Sequence, residues 1–371
     1  ALQCFALQEA EKKLGNDVYV INYNNRFISK GLDRFRFALS TLGFYYLAYD
    51  IINYFSNGRK IVRFKKFFDD YYNLTPLMDA NALKSYNVHY DIGMSGSDQI
   101  WNPLLNNRVD DIYFLNFGYF THKVSYASSL GNYQLDNEEY NRSIIQLLSN
   151  YDRVSTRENS KLLESLINRA VYNVCDPTLL LCKEEWAEKL KLRKRQSKFL
   201  LIYACLLYTS DAADEWAEKL KLRKRQSKFL LIHALTDQDR VIEIARLISK
   251  EKSLPILFLG KTKRKYSGIT CINDAGPKEF VELFYNAEYV VTNSFHGTAF
   301  SINFHKQFVS VKHPKSPERA LHILKVTNLE SRLVMSGTVA NILDVEPAEF
   351  QAATCALEKL RNESYKYLME L

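Results

Sequence analysis

The chain has 371 residues, 47% of them apolar and 25% charged, with a formal net charge of +8. These values exclude a disordered or low-complexity chain, and no apolar run reaches the ~18 residues that a membrane-spanning helix needs. The length suits two domains. Six cysteines are scattered without a C-x-x-C pair, and seven histidines are dispersed. Neither a disulfide framework nor a metal site is expected, and the expected location is the cytoplasm, with at most peripheral contact at the inner face of a membrane.

One repeat stands out. Glu185–Ile202 reads EWAEKLKLRKRQSKFLLI, and Glu215–Ile232 repeats it letter for letter. Structural repeats diverge and come in longer arrays, so this is no solenoid. The stretch from between the copies into the second, Cys205-Leu-Leu-Tyr-Thr-Ser-Asp-Ala-Ala-Asp-Glu215, resembles an in-frame translation of a sequencing-library adapter. We read 203–232 as an assembly artefact, with the natural chain joining Ile202 to His233. The segment holds six Lys/Arg and four Asp/Glu, so its removal lowers the net charge from +8 to +6. The basic run Lys189–Arg195 lacks interleaved aromatics and reads as a solvated helix end, so no nucleic-acid partner is expected.

In chain order, Ala1–Leu14 is an amphipathic helix closed by Gly15, followed by a strand over Asp17–Asn22. Because the chain starts inside a helix, the strand and turn expected before it are read as missing. Residues 28–80 are rich in Phe, Tyr, Lys and Arg and read as helices beneath a basic surface. A strand over Val88–Met94 runs into Ser95-Gly-Ser-Asp-Gln-Ile-Trp-Asn-Pro103. Polar residues at a strand's C-terminal end mark a ligand site in a parallel sheet; the plainer reading is a loop with Trp101 as a core plug. Lys123–Gly131 is another strand, ending in small hydroxyl residues. Asp152–Ser160 leads to Arg157 and Glu158, where an arginine either grips an anion or pairs with its neighbour.

The second half restarts at Lys228–Ala234, a strand, and alternates strands and helices. Its focus is Tyr289-Val-Val-Thr-Asn-Ser-Phe-His-Gly-Thr-Ala-Phe300. A buried strand ends in a polar turn that feeds a helix, the place where α/β folds bind anions. His296 sits in that turn, either as a functional imidazole or as a helix cap. No G-x-G-x-x-G or Walker A sequence occurs, so dinucleotide and P-loop chemistry have no support.

The expected architecture is α/β, with two Rossmann-like doubly wound domains facing a cleft. The expected N-terminal domain is 1–180, on the acceptor side. A linker over 181–232 includes the duplicated 203–232. The C-terminal, donor-side domain is 233–345, its first strand from 228, and 346–371 is a helical tail of one or two helices.

Several stretches together resemble the polysaccharide pyruvyl transferases: Gly96–Pro103, Ser125–Ser129 with Gly131, Ser155–Glu158, Asp176–Thr178, Asp274–Pro277 and Val291–Gly297. Each is short, but the ordered set runs from Ala1 to about Leu333. The resemblance implies a two-domain fold similar to GT-B glycosyltransferases. It also implies transfer from phosphoenolpyruvate to a sugar, forming a cyclic pyruvate ketal. The acceptor would be an exopolysaccharide or other cell-surface glycan, or its lipid-linked precursor. Phosphoenolpyruvate is then a co-substrate, and no cofactor or metal is expected. By position, His296 is the catalytic acid/base or phosphate ligand. Arg157 holds the donor, with Ser294, Phe295 and Gly297 around it. Some members carry Arg-Leu-His where this chain has Ser294-Phe-His296, so the cation is expected from Lys312 or Arg319. Ser97, Asp98 and Gln99 are expected to bind acceptor hydroxyls, and Trp101 to stack on a sugar ring. Two alternatives stay open: a GT-B glycosyltransferase using a nucleotide sugar, and a non-catalytic glycan-binding relative.

Overall fold

The computed structural model describes residues 1–25, 54–105, 108–158, 160–193, 203–204, 229–235, 237–260, 262, 266–314, 318–335 and 344–371. The helices expected within 28–53, and most of 203–232, lie outside the described residues. The chain divides into two units. The first holds Ala1–Gly31, Tyr71–Leu181 and Glu358–Leu371; the second holds Leu32–Asp70 and Cys182–Leu357.

The elements up to residue 173 are α1 (Leu2–Lys13), α2 (Tyr54–Tyr71), α3 (Ala80–Lys84), β1 (His89–Ser95), β2 (Tyr119–Ser125), α4 (Glu138–Leu148), β3 (Ser155–Thr156), α5 (Ser160–Ile167) and β4 (Tyr172–Asn173). In the first unit β1 pairs in parallel with β2, and β3 in parallel with β4. The strand expected over Asp17–Asn22 is reduced to isolated parallel bridges, Val20 with Leu74 and Tyr23 with Met78. Asn137 caps α4 by accepting from the Tyr140 amide at 3.0 Å, and Glu138 and Glu139 complement the positive end of the helix dipole.

Trp101 belongs to the core of this unit. Its ring is 1% exposed, stacks on Phe114 at 5.2 Å and meets Tyr151 edge-on at 6.1 Å. Its indole N–H donates to the Tyr113 carbonyl at 3.2 Å. The expected sugar-stacking role is therefore corrected: a buried indole that satisfies its one donor internally offers no face to a ligand.

The remaining elements are α6 (Lys183–Lys189), β5 (Tyr203–Ala204), β6 (Leu230–Ala234), α7 (Gln238–Lys252), β7 (Ile256–Leu259), β8 (Ile269–Ile272), α8 (Pro277–Asn286), β9 (Tyr289–Thr292), α9 (Phe295–Asn303), β10 (Gln307–Val311), α10 (Glu318–Val326), β11 (Leu333–Val334) and α11 (Pro347–Met369). The second unit is built on a 7-stranded sheet ordered β8-β7-β6-β9-β10-β11, with β5 pairing to the end of β6. Every pairing is parallel. Counted from β6, the main path reads 3-2-1-4-5-6, the doubly wound dinucleotide-fold order, whose direction reverses between β6 and β9. Those two strands are buried along their whole length, as the uninterrupted runs Leu-Leu-Ile and Tyr-Val-Val require. Both units are α/β with parallel pairing, which fits a GT-B-like two-domain fold.

Two boundaries differ from the expected ones. Residues 32–70 group with the second unit. The basic face of α2 explains this, since Arg59 and Arg63 reach Asp274 at 2.8 and 3.1 Å. The tail is one helix, and from Glu358 it groups with the first unit. There Ser364 accepts from the Cys175 amide at 2.9 Å and Tyr367 donates to the Ser125 carbonyl at 2.8 Å.

The duplicated letters are divided in use. The first copy supplies α6, whose Trp186 is fully buried against Phe300 at 5.4 Å. The copy adjoining His233 supplies β6. A single copy joined at His233 carries the letters for both. Among the described residues, no helix is long and apolar enough to cross a membrane.

Candidate functional site

The turn after β9 is organised by its own polar residues. Ser294 is the N-cap of α9 and accepts from the Gly297 amide at 3.5 Å, while its carbonyl accepts from Thr298. The cap is therefore serine's, and His296 in the first turn is not needed for it. Asn293 laces the two central strands: its amide donates to the His233 carbonyl at 2.8 Å, and its Oδ1 accepts from the Leu235 amide at 2.7 Å. The turn thus sits at the C-terminal ends of β6 and β9, at the switch point where open α/β sheets bind ligands.

Phe295 and His296 stand half-buried at the start of α9, their rings 5.2 Å apart and inclined at 72°. The Arg319 guanidinium lies over the Phe295 ring, 5.3 Å from its centroid. A ring face holds a guanidinium by its quadrupole. So the structure sets Ser294, Phe295, His296, Gly297 and Arg319 together. Lys312 is half-buried just past β10, its amide donating to the Val334 carbonyl at 3.0 Å.

His233 was not among the residues singled out from the sequence. It sits in register with Thr292, 3% exposed, with Phe280 and Phe284 edge-on at 5.7 and 6.1 Å. A side-chain carbon at Gly297 would run into the His233 ring and the Thr292 hydroxyl, so only glycine fits there. The rule applied to β9, a polar residue ending an apolar strand, finds His233 when applied to Phe229-Leu-Leu-Ile-His233.

Burial pushes the His233 pKa well below its ordinary value, and His296 pushes the same way. The folded chain therefore leaves this ring neutral while the unfolded chain protonates it below about pH 6.5. The unfolded state then binds more protons, and stability is lost as pH falls below that point, by up to ~1.4 kcal/mol per pH unit. Denaturant titrations at pH 7 and pH 5 are expected to show a smaller drop in His233→Leu than in the parent chain. An equal drop would mean that the ring is charged in the folded state.

In the first unit the ends of β1, β2 and β3 converge. Gly96 lies so close to the Tyr126 carbonyl that a side chain there would overlap it. Asp98 follows in a left-handed conformation (φ 73°), which aspartate tolerates better than most residues. Arg157 is 2% exposed and meets three carboxylates: Asp176 at 2.6 Å, Glu158 at 2.9 Å and Asp98 at 3.0 Å. Burial alone would lower the guanidinium pKa, but Asp176, Glu158 and Asp98 together raise it. Gln3 joins them by donating to Ser97 Oγ and Asp176 Oδ2, each at 2.8 Å.

This geometry enrols Arg157 in holding the loops, including the Glu158 pair foreseen as the plainer alternative. Ser97 is buried in the same network. Asp98 keeps half of its side chain exposed, and Gln99 is half-buried, its Oε1 accepting from Asn102 at 2.9 Å. Of the four expected acceptor residues, Asp98 and Gln99 thus retain access. Asp176, one end of the Asp176–Thr178 stretch that carries the resemblance but was given no role there, anchors Arg157 from 19 residues away.

A hollow of about 590 Å³ in the second unit, bordered by His305, Gln307, Phe350 and Thr354, opens beside the first residue of β10. It lies at the strand end opposite the His296 turn. Among the described residues, no three of His, Cys, Asp and Glu are grouped to hold a metal ion.

A family model described as polysaccharide pyruvyl transferase matches residues 1–315. No curated protein matches the chain. Among solved structures, the chain is similar to UDP-GlcNAc 2-epimerase from Methanocaldococcus jannaschii, at a TM-score of 0.43 and 10% identity over 97% of this chain and 89% of that one. It is also similar to the S. aureus MnaA–UDP structure, at 0.40 and 11% over 98% and 87%.

Proposed function

Because this chain belongs to the polysaccharide pyruvyl transferase family, with a pyruvyl transferase role on polysaccharide, we propose that its donor is phosphoenolpyruvate and its product a cyclic pyruvate ketal. The observation that carries the reading is His296 at the switch point, next to Phe295, whose ring holds the guanidinium of Arg319. The acceptor is a sugar of a cell-surface glycan or its lipid-linked precursor, and the reaction belongs to the cytoplasm or the inner face of the membrane.

The chemistry sets clear demands. The enol carbon of the donor must gain a proton, which leaves an oxocarbenium-like centre. One sugar hydroxyl adds there, phosphate departs by C–O cleavage, and a second hydroxyl closes the ketal. Of the two hydroxyl protons, one balances the proton delivered to carbon and the other leaves with phosphate. His296 is assigned the proton transfers. Arg319, held on Phe295, is assigned the donor's phosphate or carboxylate charge. Ser294 and Gly297 shape the turn around them. Asp98 and Gln99 are assigned acceptor hydroxyls, and Arg157 is assigned the holding of Asp98.

The test is phosphate release from phosphoenolpyruvate with galactose- and mannose-type acceptors, and the expected result is acceptor-dependent release. Turnover of a nucleotide sugar in its place would select the glycosyltransferase alternative. Inactivity toward both donors would leave a glycan-binding protein.

A further inference from the structure

β6 reads Leu230-Leu-Ile-His-Ala, and all five residues are buried. An aliphatic side chain at the fourth position would continue the pattern without desolvating a polar ring. An imidazole stands there instead, boxed by Phe280 and Phe284 of α8. It lies directly beneath the first turn of α9, where a carbon added to Gly297 would come within 2.6 Å of its Nδ1. Gly297 follows His296 in the chain, so the seating of one residue sets the placement of the other. The carbonyl of His233 is also tied to Asn293, three residues before His296. Ring and backbone of His233 thus meet the catalytic turn from below.

We propose that His233 is a positioning residue for His296: its ring forms the floor on which the first turn of α9 rests, and so fixes where His296 meets the donor. This rests on the reading of His296 as the acid/base. Burial keeps His233 neutral, and a charge on His296 reinforces that state, so the floor carries no competing charge when His296 holds a proton. The ring's size and polarity, not its charge, are what the site uses.

The test pairs His233→Leu and His233→Asn with Ile232→Val as a control in the same strand. Steady-state kinetics with phosphoenolpyruvate and the best acceptor are measured for each, together with the ring resonance of His296, assigned through His296→Ala. His233→Leu is expected to lower kcat on the order of 10- to 100-fold while KM for both substrates stays within about threefold, since a misplaced group costs turnover before binding. His233→Asn is expected to recover part of that loss. The His296 resonance is expected to move in His233→Leu and to stay in place in Ile232→Val.

An unchanged kcat in His233→Leu overturns the proposal, and so does a rise in KM alone. A lower kcat with an unmoved His296 resonance overturns it as well. Should His233→Leu fail to fold, His233→Asn carries the same measurements. If the parent chain transfers pyruvate to no acceptor, the reaction reading fails, and the resonance alone decides whether His233 seats His296.

Discussion

His296→Ala is expected to cut turnover by about 100-fold or more while leaving the fold intact. General acid–base groups contribute roughly 10²- to 10⁴-fold, and carbon protonation of an enol phosphate depends strongly on such a group. The fold is expected to survive because α9 does not rely on His296 for its start: Ser294 provides the cap, and Thr298 donates back to the Ser294 carbonyl at 3.1 Å. The half-buried ring leaves little cavity, so the stability change is expected to stay within about 1 kcal/mol. Initial rates of phosphate release, with a denaturant titration on the same sample, separate the two effects. A variant that turns over at a near-normal rate removes His296 from the chemistry. A variant that is both slow and unstable makes it a structural residue.

Arg157→Ala is expected to act on stability. Its guanidinium is enclosed with Asp176, whose side chain has no exposed surface, and with Glu158, which is 13% exposed. Removing one member of a buried ion pair leaves a charge without compensation and costs about 3–5 kcal/mol. Asp98, half-exposed, loses this partner in the same change. The expected result in a denaturant titration is a large drop in the unfolding free energy, with any loss of activity following from it. A direct donor ligand would behave otherwise: KM for phosphoenolpyruvate would rise and the unfolding free energy would hold. That outcome would return Arg157 to the donor site.

The second unit was the more legible half. Tyr-Val-Val-Thr ending in Asn-Ser announced a buried strand and a turn, and Pro277 at the head of α8 and Ser294 at the head of α9 are local signals read over three or four residues. The order of strands is not local. Nothing in Phe229–Ala234 says that β6 lies beside β9, and without that neighbour His233 reads as one more strand residue. Arg157 shows the same limit. Its pairing with adjacent Glu158 was foreseeable, whereas Asp98 lies 59 residues away. Arg59 and Asp274 are 215 residues apart, and their contact moves α2 into the other unit. Trp101 misled because Asp-Gln-Ile-Trp-Asn is polar on both sides. The ring turns inward onto Phe114 and Tyr151; of the flanking amides, Asn102 is buried beside it and only Gln99 stays half-exposed, a division that composition does not encode.

The proposed reaction moves pyruvate from phosphoenolpyruvate onto two hydroxyls of a sugar. The direct measurement is mass and NMR analysis of a galactose- or mannose-type acceptor after incubation with phosphoenolpyruvate, run on the 371-residue chain and on one joining Ile202 to His233. The expected product is an acceptor heavier by one pyruvate less one water, with a ketal carbon bearing a methyl and a carboxylate and one phosphate released for each acceptor modified. An unmodified acceptor across the panel, with phosphoenolpyruvate intact, would contradict it.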